Sequence, residues 1–458
     1  MSEFKMRCQH AACGTEYSGA AGFRLSCDHD HEPALLLPVY ENTQLTVRPS
    51  APGIFKFADW LPTNGMQLAQ SRYPLGEPFC YRSYGLARRL GLKRLYIAFS
   101  GYWPERGPNL VTRTFKEFEV QCSLAYFLTS QRKTGASPLA IASAGNTGNS
   151  FNFYAALMGF PIYLFVPETG LDNLVLPFAT SPFLVAVKGD YSDAIAMADA
   201  VAKRVGFSRD GGVLNVGRRA GMATVMLNAV THPEQGSGRL FDHYFQGVGS
   251  GSGAIAAWEA VQMLLRDGRF GSTPTKIHMA QNSPFTPIAD SWESGETVII
   301  PENDARDAIA NVTAKVLTNR KPPYEVAGGL RDALTASKGQ TWRVSNQRLF
   351  HAARLFNAEE GIDIGSASAV GVDALRQAVE AGAVNPDDAI LLHVTGGGRG
   401  IQFQHGIYQA KRRMTVAPNE INSVFEEIGE PPRISAQDID KMLEPVTAAS
   451  AQQLDEAV

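Results

Sequence analysis

Between residues 94 and 394 the chain alternates short apolar runs with helical patterns, and that alternation restricts the folds open to it. Runs at 94–99, 138–142, 161–166, 183–187, 243–246, 276–280 and 389–394 read as strands. Stretches at 114–132, 147–158, 192–205 and 254–266 read as helices. Strands that are apolar at nearly every position need cover on both faces, so the pattern predicts βαβ units and a parallel α/β sheet. A chain of 458 residues has room for two such domains. After about residue 414 the strand signal ends, and a polar tail rich in Ala, Gln and Glu predicts a peripheral helix and a frayed terminus.

Composition matters here for what it excludes. A net charge of −3 leaves no broad basic face for nucleic acid or an anionic membrane. No apolar run approaches the ~18 residues of a membrane span, and the first ten residues do not read as a secretory signal. The expectation is a cytoplasmic enzyme with no nucleic-acid or membrane partner.

Four segments can carry chemistry. In Thr114-Phe-Lys116-Glu117, the Thr and the Glu three residues on form a capping-box pattern, which puts Lys116 in the first turn of a helix. The positive end of the helix dipole disfavours an ammonium there, and a lysine that is a free amine at neutral pH can form Schiff bases. In Ser143-Ala144-Gly145-Asn146-Thr147-Gly148, a glycine-rich turn leads from a strand into a helix whose first amides suit a carboxylate. The Asn146 side chain can donate to a phenolate oxygen. Gly247-Val248-Gly249-Ser250-Gly251-Ser-Gly253 follows a strand and opens a helix, so backbone amides can converge on a phosphate. There is no Gly-Lys-Ser/Thr, which excludes a P-loop, and the strand ending at Ala280 runs into Gln281-Asn282-Ser283 without the acid that a dinucleotide ribose needs. A small phosphorylated cofactor fits better. The fourth segment, Val394-Thr395-Gly396-Gly397-Gly398-Arg399, ends the last apolar strand, where open α/β sheets place their ligands. Thr395 can offer a hydroxyl to a heteroaromatic nitrogen, and Arg399 a charge to an anion.

Taken in this order, the four segments resemble the fold-type II pyridoxal-5′-phosphate (PLP) enzymes, the tryptophan-synthase-β-like group, and within it the threonine synthase family. The resemblance spans about residues 50–400. It implies two open twisted sheets with helices on both faces and PLP between two domains. It also implies that Lys116 bonds the cofactor, Asn146 meets its 3′-oxygen, the Gly247–Gly251 loop holds its phosphate and Thr395 meets its pyridine nitrogen. A hydroxyl at that nitrogen leaves the ring a weaker electron sink, which favours elimination and replacement. The corresponding division is a Cys/His-rich arm at 1–36 with a degenerate zinc ribbon, a large PLP-binding domain at 37–120 and 206–413, a small domain at 121–205, and a helical extension and tail at 414–458. A homodimer is implied as well.

Where threonine synthases carry Ser-Phe-Lys-Asp-Arg, this chain has Thr114-Phe-Lys116-Glu117-Phe118. Together with Ala98-Phe-Ser-Gly-Tyr102-Trp103-Pro104-Glu105-Arg106-Gly107 and Gly53-Ile-Phe-Lys-Phe-Ala-Asp59-Trp60-Leu61-Pro62, this is similar to the cysteate synthase branch. The implied reaction is a β-replacement on O-phosphoserine with sulfite, Lys116 moving the α-proton and the Ser143–Thr147 turn seating the substrate carboxylate. Arg113, Arg218, Arg219 and Arg399 are candidate hosts for the two anions. A threonine synthase, or another replacing enzyme with a different nucleophile, is the alternative. A nucleotide-binding oxidoreductase and a non-catalytic homologue stand further off.

Three of the five cysteines crowd into the first 27 residues beside His10, His29 and His31. Cys8, Cys13, Cys27 and one histidine suit a tetrahedral zinc ion, with His29 assigned here as the fourth ligand. An odd number of cysteines argues against a disulfide scaffold.

Overall fold

The computed structural model describes residues 4–63, 75–233, 236–301, 304–404 and 406–443. Its larger sheet has six strands, in the order Gln340–Val344, Lys276–Asn282, His243–Gly247, Ala389–Val394, Arg94–Phe99 and Cys80–Arg82. All neighbours are parallel except the Cys80–Arg82 edge, which runs antiparallel. The smaller sheet has five parallel strands, in the order Ser208–Arg209, Leu139–Ala142, Ile162–Pro167, Phe183–Val187 and Met414–Val416. Ile162–Pro167 and Ala389–Val394 are buried at every residue, as strands inside a doubly covered sheet must be. A third, antiparallel sheet orders Glu16–Ser18, Phe4–Cys8 and Leu36–Tyr40.

Several elements lie outside the sequence expectation. The strand Gln340–Val344 extends the larger sheet, and Ser208–Arg209 and Met414–Val416 join the smaller sheet from outside 121–205. The chain beyond 414 therefore opens with a strand, and the helices Ile421–Ile428 and Ala436–Leu443 follow it. The polar tail after Leu443 lies outside the described residues. The helix Val216–Thr231 has no amphipathic signature because it is buried from Val216 to Val230, polar residues included. It packs against the helix Lys116–Gln131, so closely that a Cβ on Gly221 would run into the carbonyl of Phe118. This helix pair forms the floor of the site described next.

Candidate active site

The helix Lys116–Gln131 begins at Lys116 itself, and its start is laced to the loop after the central strand Ala389–Val394. Phe115 N–H donates to Thr395 O at 3.1 Å, Gly397 N–H donates to Arg113 O at 3.2 Å, and Thr114 bridges Gly396. Two segments some 280 positions apart thus share one backbone frame. The capping box does not form. Glu117 is fully buried and turns back to accept the Thr112 N–H and, at 3.1 Å, the Tyr154 hydroxyl, while Thr114 Oγ1 reaches only the Lys116 N–H at 3.4 Å. A buried carboxylate takes the donors in its own pocket over a helix end it cannot reach.

Lys116 Nζ donates to Glu119 Oε2 at 2.7 Å. The other Glu119 oxygen accepts Thr147 Oγ1 at 3.0 Å and an Arg218 Nη, and Arg218 in turn binds Asp210 Oδ2 at 2.7 Å. Glu119, Arg218 and Asp210 are all buried, so an alternating row of four charges lies under the cavity floor. Burial lowers the affinity of Lys116 for its proton; Glu119 opposes this and the Arg218 charge adds to it, with a net lowering. The cause therefore differs from the expected one: desolvation dominates, and no helix-dipole argument is needed. For Glu119, burial pushes upward, but Arg218 and Lys116 outweigh it and hold the carboxyl below its usual range. Burial raises Asp210 in spite of Arg218.

A cavity above this row is lined by Lys116, Ser143, Ala144, Asn146, Thr147, every residue from Gly247 to Gly253, and Thr395. The structure therefore brings the lysine, the turn, the glycine loop and the late threonine to one place. The glycines are required by close approach. A Cβ at Gly247 would strike the carbonyl of Ala367, one at Gly249 would lie 2.8 Å from Leu317 Cα, and one at Gly251, where φ is +72°, would enter the Leu330 side chain. Gly251 caps the 16-residue helix Ser252–Asp267, whose first turn faces the cavity. The Val248 N–H is already given to Ala280 O at 2.8 Å, which leaves the amides after it for a ligand. In the turn, Ser143 Oγ accepts the Gly145 and Gly148 amides at 3.0 and 2.7 Å, so this hydroxyl holds the turn's shape. Thr395 Oγ1 lies 3.3 Å from Ser368 Oγ, which also bonds both polar atoms of the Gly396 backbone.

These groups fit PLP: a buried amine, a cradle that side chains on its glycines would fill, a long helix's N-terminus, and a hydroxyl at the end of the central strand. Behind them a neutral relay runs inward. Ser100 Oγ donates to His393 Nε2 at 3.1 Å, His393 Nδ1 to Tyr244 Oη at 2.8 Å, and Tyr244 to Gln246 Oε1 at 2.8 Å. Burial and the nearby Lys116 charge push His393 down to about 3, so the imidazole is neutral.

The candidate arginines scatter. Arg219 is fully buried in the core on Glu259 and two carbonyls, and Arg218 is bound to two carboxylates. Arg113 stacks on Phe403 and donates to the carbonyls of Arg399 and Ile401, while Arg399 reaches Asn173; neither lines the cavity. Instead, an adjoining cavity of about 710 Å³ shares Lys116, Thr147 and Tyr191 with the first, and carries Arg218, Arg320 and Lys321. Its lining holds five cationic residues, Lys116, Arg209, Arg218, Arg320 and Lys321, of which Arg209 pairs with Asp199 at 2.8 Å and Arg320 with Asp190 at 2.7 Å. Glu119, three residues from Lys116 on one helix face, was detectable by spacing. Asp210, Tyr191 and Asn319 carry no such signal. At the N-terminus, Cys8, Cys13 and Cys27 cluster with His31, and His29 is not among them.

Residues 105–396 match the pyridoxal-phosphate dependent enzyme family. The chain is 48% identical to the cysteate synthase of Methanoculleus marisnigri over 370 residues, covering 80% of this chain and 83% of that protein. It is 41% identical to the cysteate synthase of Methanosarcina acetivorans over 429 residues, covering 92% and 98%. Among solved structures, Escherichia coli diaminopropionate ammonia lyase, in complex with an aminoacrylate-PLP azomethine reaction intermediate, superposes with a TM-score of 0.56 at 15% identity, covering 77% of this chain and 92% of that one. A pyridoxal 5′-phosphate-dependent aspartate racemase gives 0.53 at 14% identity, covering 70% and 90%. These two likenesses concern the fold.

Proposed function

The chain belongs to the pyridoxal-phosphate dependent enzymes and, within them, to the cysteate synthase family, and from that premise we propose that it converts O-phospho-L-serine and sulfite to L-cysteate and phosphate. The observation that carries the reading is the placement of the buried Lys116 amine against the Gly247–Gly253 loop in one cavity. Bound there, PLP supplies the electron sink that makes the substrate's α-proton acidic and its β-phosphate a leaving group.

The chain's own residues do the rest. Lys116 would hold the cofactor through Nζ, and the same Nζ would be the base that removes and returns the substrate's α-proton. Burial, the largest influence on that amine, lowers its affinity for a proton, the direction that a base at Nζ needs. The first amides of the Asn146–Met158 helix orient the substrate carboxylate, with Ser143 fixing the turn. Gly249 to Gly251 and the start of the Ser252–Asp267 helix would hold the cofactor phosphate, with Asn146 and Thr395 the side chains that would meet its ring substituents. Arg320 and Lys321, in the adjoining cavity, receive the departing phosphate and the incoming sulfite. This assigns the anions to a different pair from Arg113 and Arg399.

The purified wild type should show the absorption band of lysine-bound PLP, and Lys116→Ala should lack it. Mixing wild type with O-phosphoserine and sulfite should yield cysteate. A colourless protein that takes up no added PLP overturns the cofactor assignment; turnover of O-phosphohomoserine in place of O-phosphoserine overturns the substrate.

A further inference from the structure

Among the described residues, one group of Cys, His and acidic side chains is placed to hold a metal ion. Cys8, Cys13, Cys27 and His31 each direct one ligand atom to a common point, and the four atoms lie within 4.8 Å of one another. Cys13 Sγ and Cys27 Sγ are 3.7 Å apart, and Cys8 Sγ is 3.4 Å from His31 Nε2. A tetrahedral zinc ion with bonds of about 2.3 Å to sulfur and about 2.05 Å to nitrogen sets these edges at about 3.8 and about 3.6 Å. We infer that Cys8, Cys13, Cys27 and His31 form a structural Zn²⁺ site that fastens the N-terminal sheet to the wall of the larger cavity.

The surroundings match a metal site beyond the four ligands. His31 Nδ1–H donates to the Glu32 carbonyl at 2.7 Å, so the lone pair sits on Nε2, the nitrogen that faces the thiols. The Tyr17 hydroxyl donates to Cys27 Sγ at 3.1 Å and Thr15 Oγ1 to Cys13 Sγ at 3.2 Å, bonds that stabilise thiolates. The Cys8–Cys13 segment is folded into a knuckle by Cys13 N–H on His10 O and Cys8 N–H on Thr15 O, at 3.0 and 2.9 Å. His10 stacks on the His31 ring with centroids 4.4 Å apart, which fixes the ring's plane. Four ligands with no position left for water are the mark of a structural ion, not a catalytic one.

The ion has a load to carry. Between Ser18 and Leu36 the arm has only a three-residue 3₁₀ turn of its own. Directly after His31, Pro33 O accepts the Ala327 N–H at 3.1 Å and Leu35 N–H donates to Ala327 O at 2.9 Å. Asn319, Arg320, Lys321, Pro322, Pro323 and Val326, just before that pairing, line the larger cavity. Metal at the cluster thus holds the strip of backbone that backs the proposed anion-binding wall.

The test is elemental analysis of the full-length protein purified without added metal. About one zinc per chain is expected, with Cys27→Ser and His31→Ala reduced at least tenfold and His29→Ala unchanged. The PLP band serves as a folding control for each variant. Where a variant does not fold, wild type stripped by a chelator and reloaded with Co²⁺ should show thiolate charge-transfer and tetrahedral d–d bands. Chelation should also speed amide exchange at Leu35 and Ala327. Zinc below one-tenth per chain, iron in its place, full zinc in folded His31→Ala, or a Cys13–Cys27 disulfide in the purified protein overturns the inference.

Discussion

Lys116 Nζ and Glu119 Oε2 lie 2.7 Å apart, one turn from each other on the same helix, and this contact opposes the lowering of proton affinity that burial imposes on the proposed cofactor lysine. Burial lowers that affinity, and Glu119 is the largest influence opposing it. In Glu119→Gln the opposition disappears while Arg218 continues to repel a charged amine. The pH midpoint for uptake of added PLP should therefore move down by about 1–3 pH units. A stopped-flow pH series reads this directly; an unchanged or higher midpoint contradicts it. Thermal stability should fall as well, because Arg218 loses one of its two buried counter-charges.

Glu117, the neighbour of Lys116, should dominate the pH dependence of stability near neutrality. Burial pushes its carboxyl up to about 7, against the pull of the Thr112 amide and the Tyr154 hydroxyl. An acid whose folded value lies above its unfolded value of about 4.3 contributes stability that is complete below the unfolded value and lost as pH rises through about 7. The span corresponds to a loss on the order of 3 kcal/mol. Melting scans from pH 5 to 8 should slope downward for wild type and be flatter for Glu117→Gln, which stays neutral throughout. Parallel slopes would assign the effect to another group.

The glycine loop should tolerate substitution unevenly. At Gly251 a methyl group meets the movable end of Leu330 but must adopt φ +72°, a penalty of about 1–2 kcal/mol. At Gly247 it meets a backbone carbonyl at the start of the helix Ser366–Glu380, which cannot turn aside. Gly247→Ala should therefore lower the melting temperature more than Gly251→Ala. Both should weaken PLP retention at least tenfold, about 1.4 kcal/mol, as read by dialysis and absorbance.

Much of this was legible because a doubly covered parallel sheet writes itself into the sequence as uninterrupted apolar runs. The strands Arg94–Phe99, Phe183–Val187 and Ala389–Val394 read this way, and the motif-bearing turns fall where glycines must admit neighbouring backbone. The helix Val216–Thr231 was hidden for the opposite reason: burial on every side erases periodicity, so its two arginines read as candidate anion hosts when their charges are taken up by buried carboxylates. The spacing of Glu119 from Lys116 signals their contact but not the full burial of Glu119, because its partners Arg218 and Thr147 are remote in sequence. The choice between His29 and His31 depended on how the chain turns after Cys27, which ligand spacing does not encode.

The central pairing of Arg94–Phe99 with Ala389–Val394 has a consequence for biogenesis. The strand next to the lysine helix waits for a partner nearly 300 residues downstream, and Phe115 waits likewise for Thr395. During synthesis the Lys116 end of the cavity cannot close until the chain has grown past Thr395. A product truncated before residue 389 would leave translation without the frame that holds its lysine.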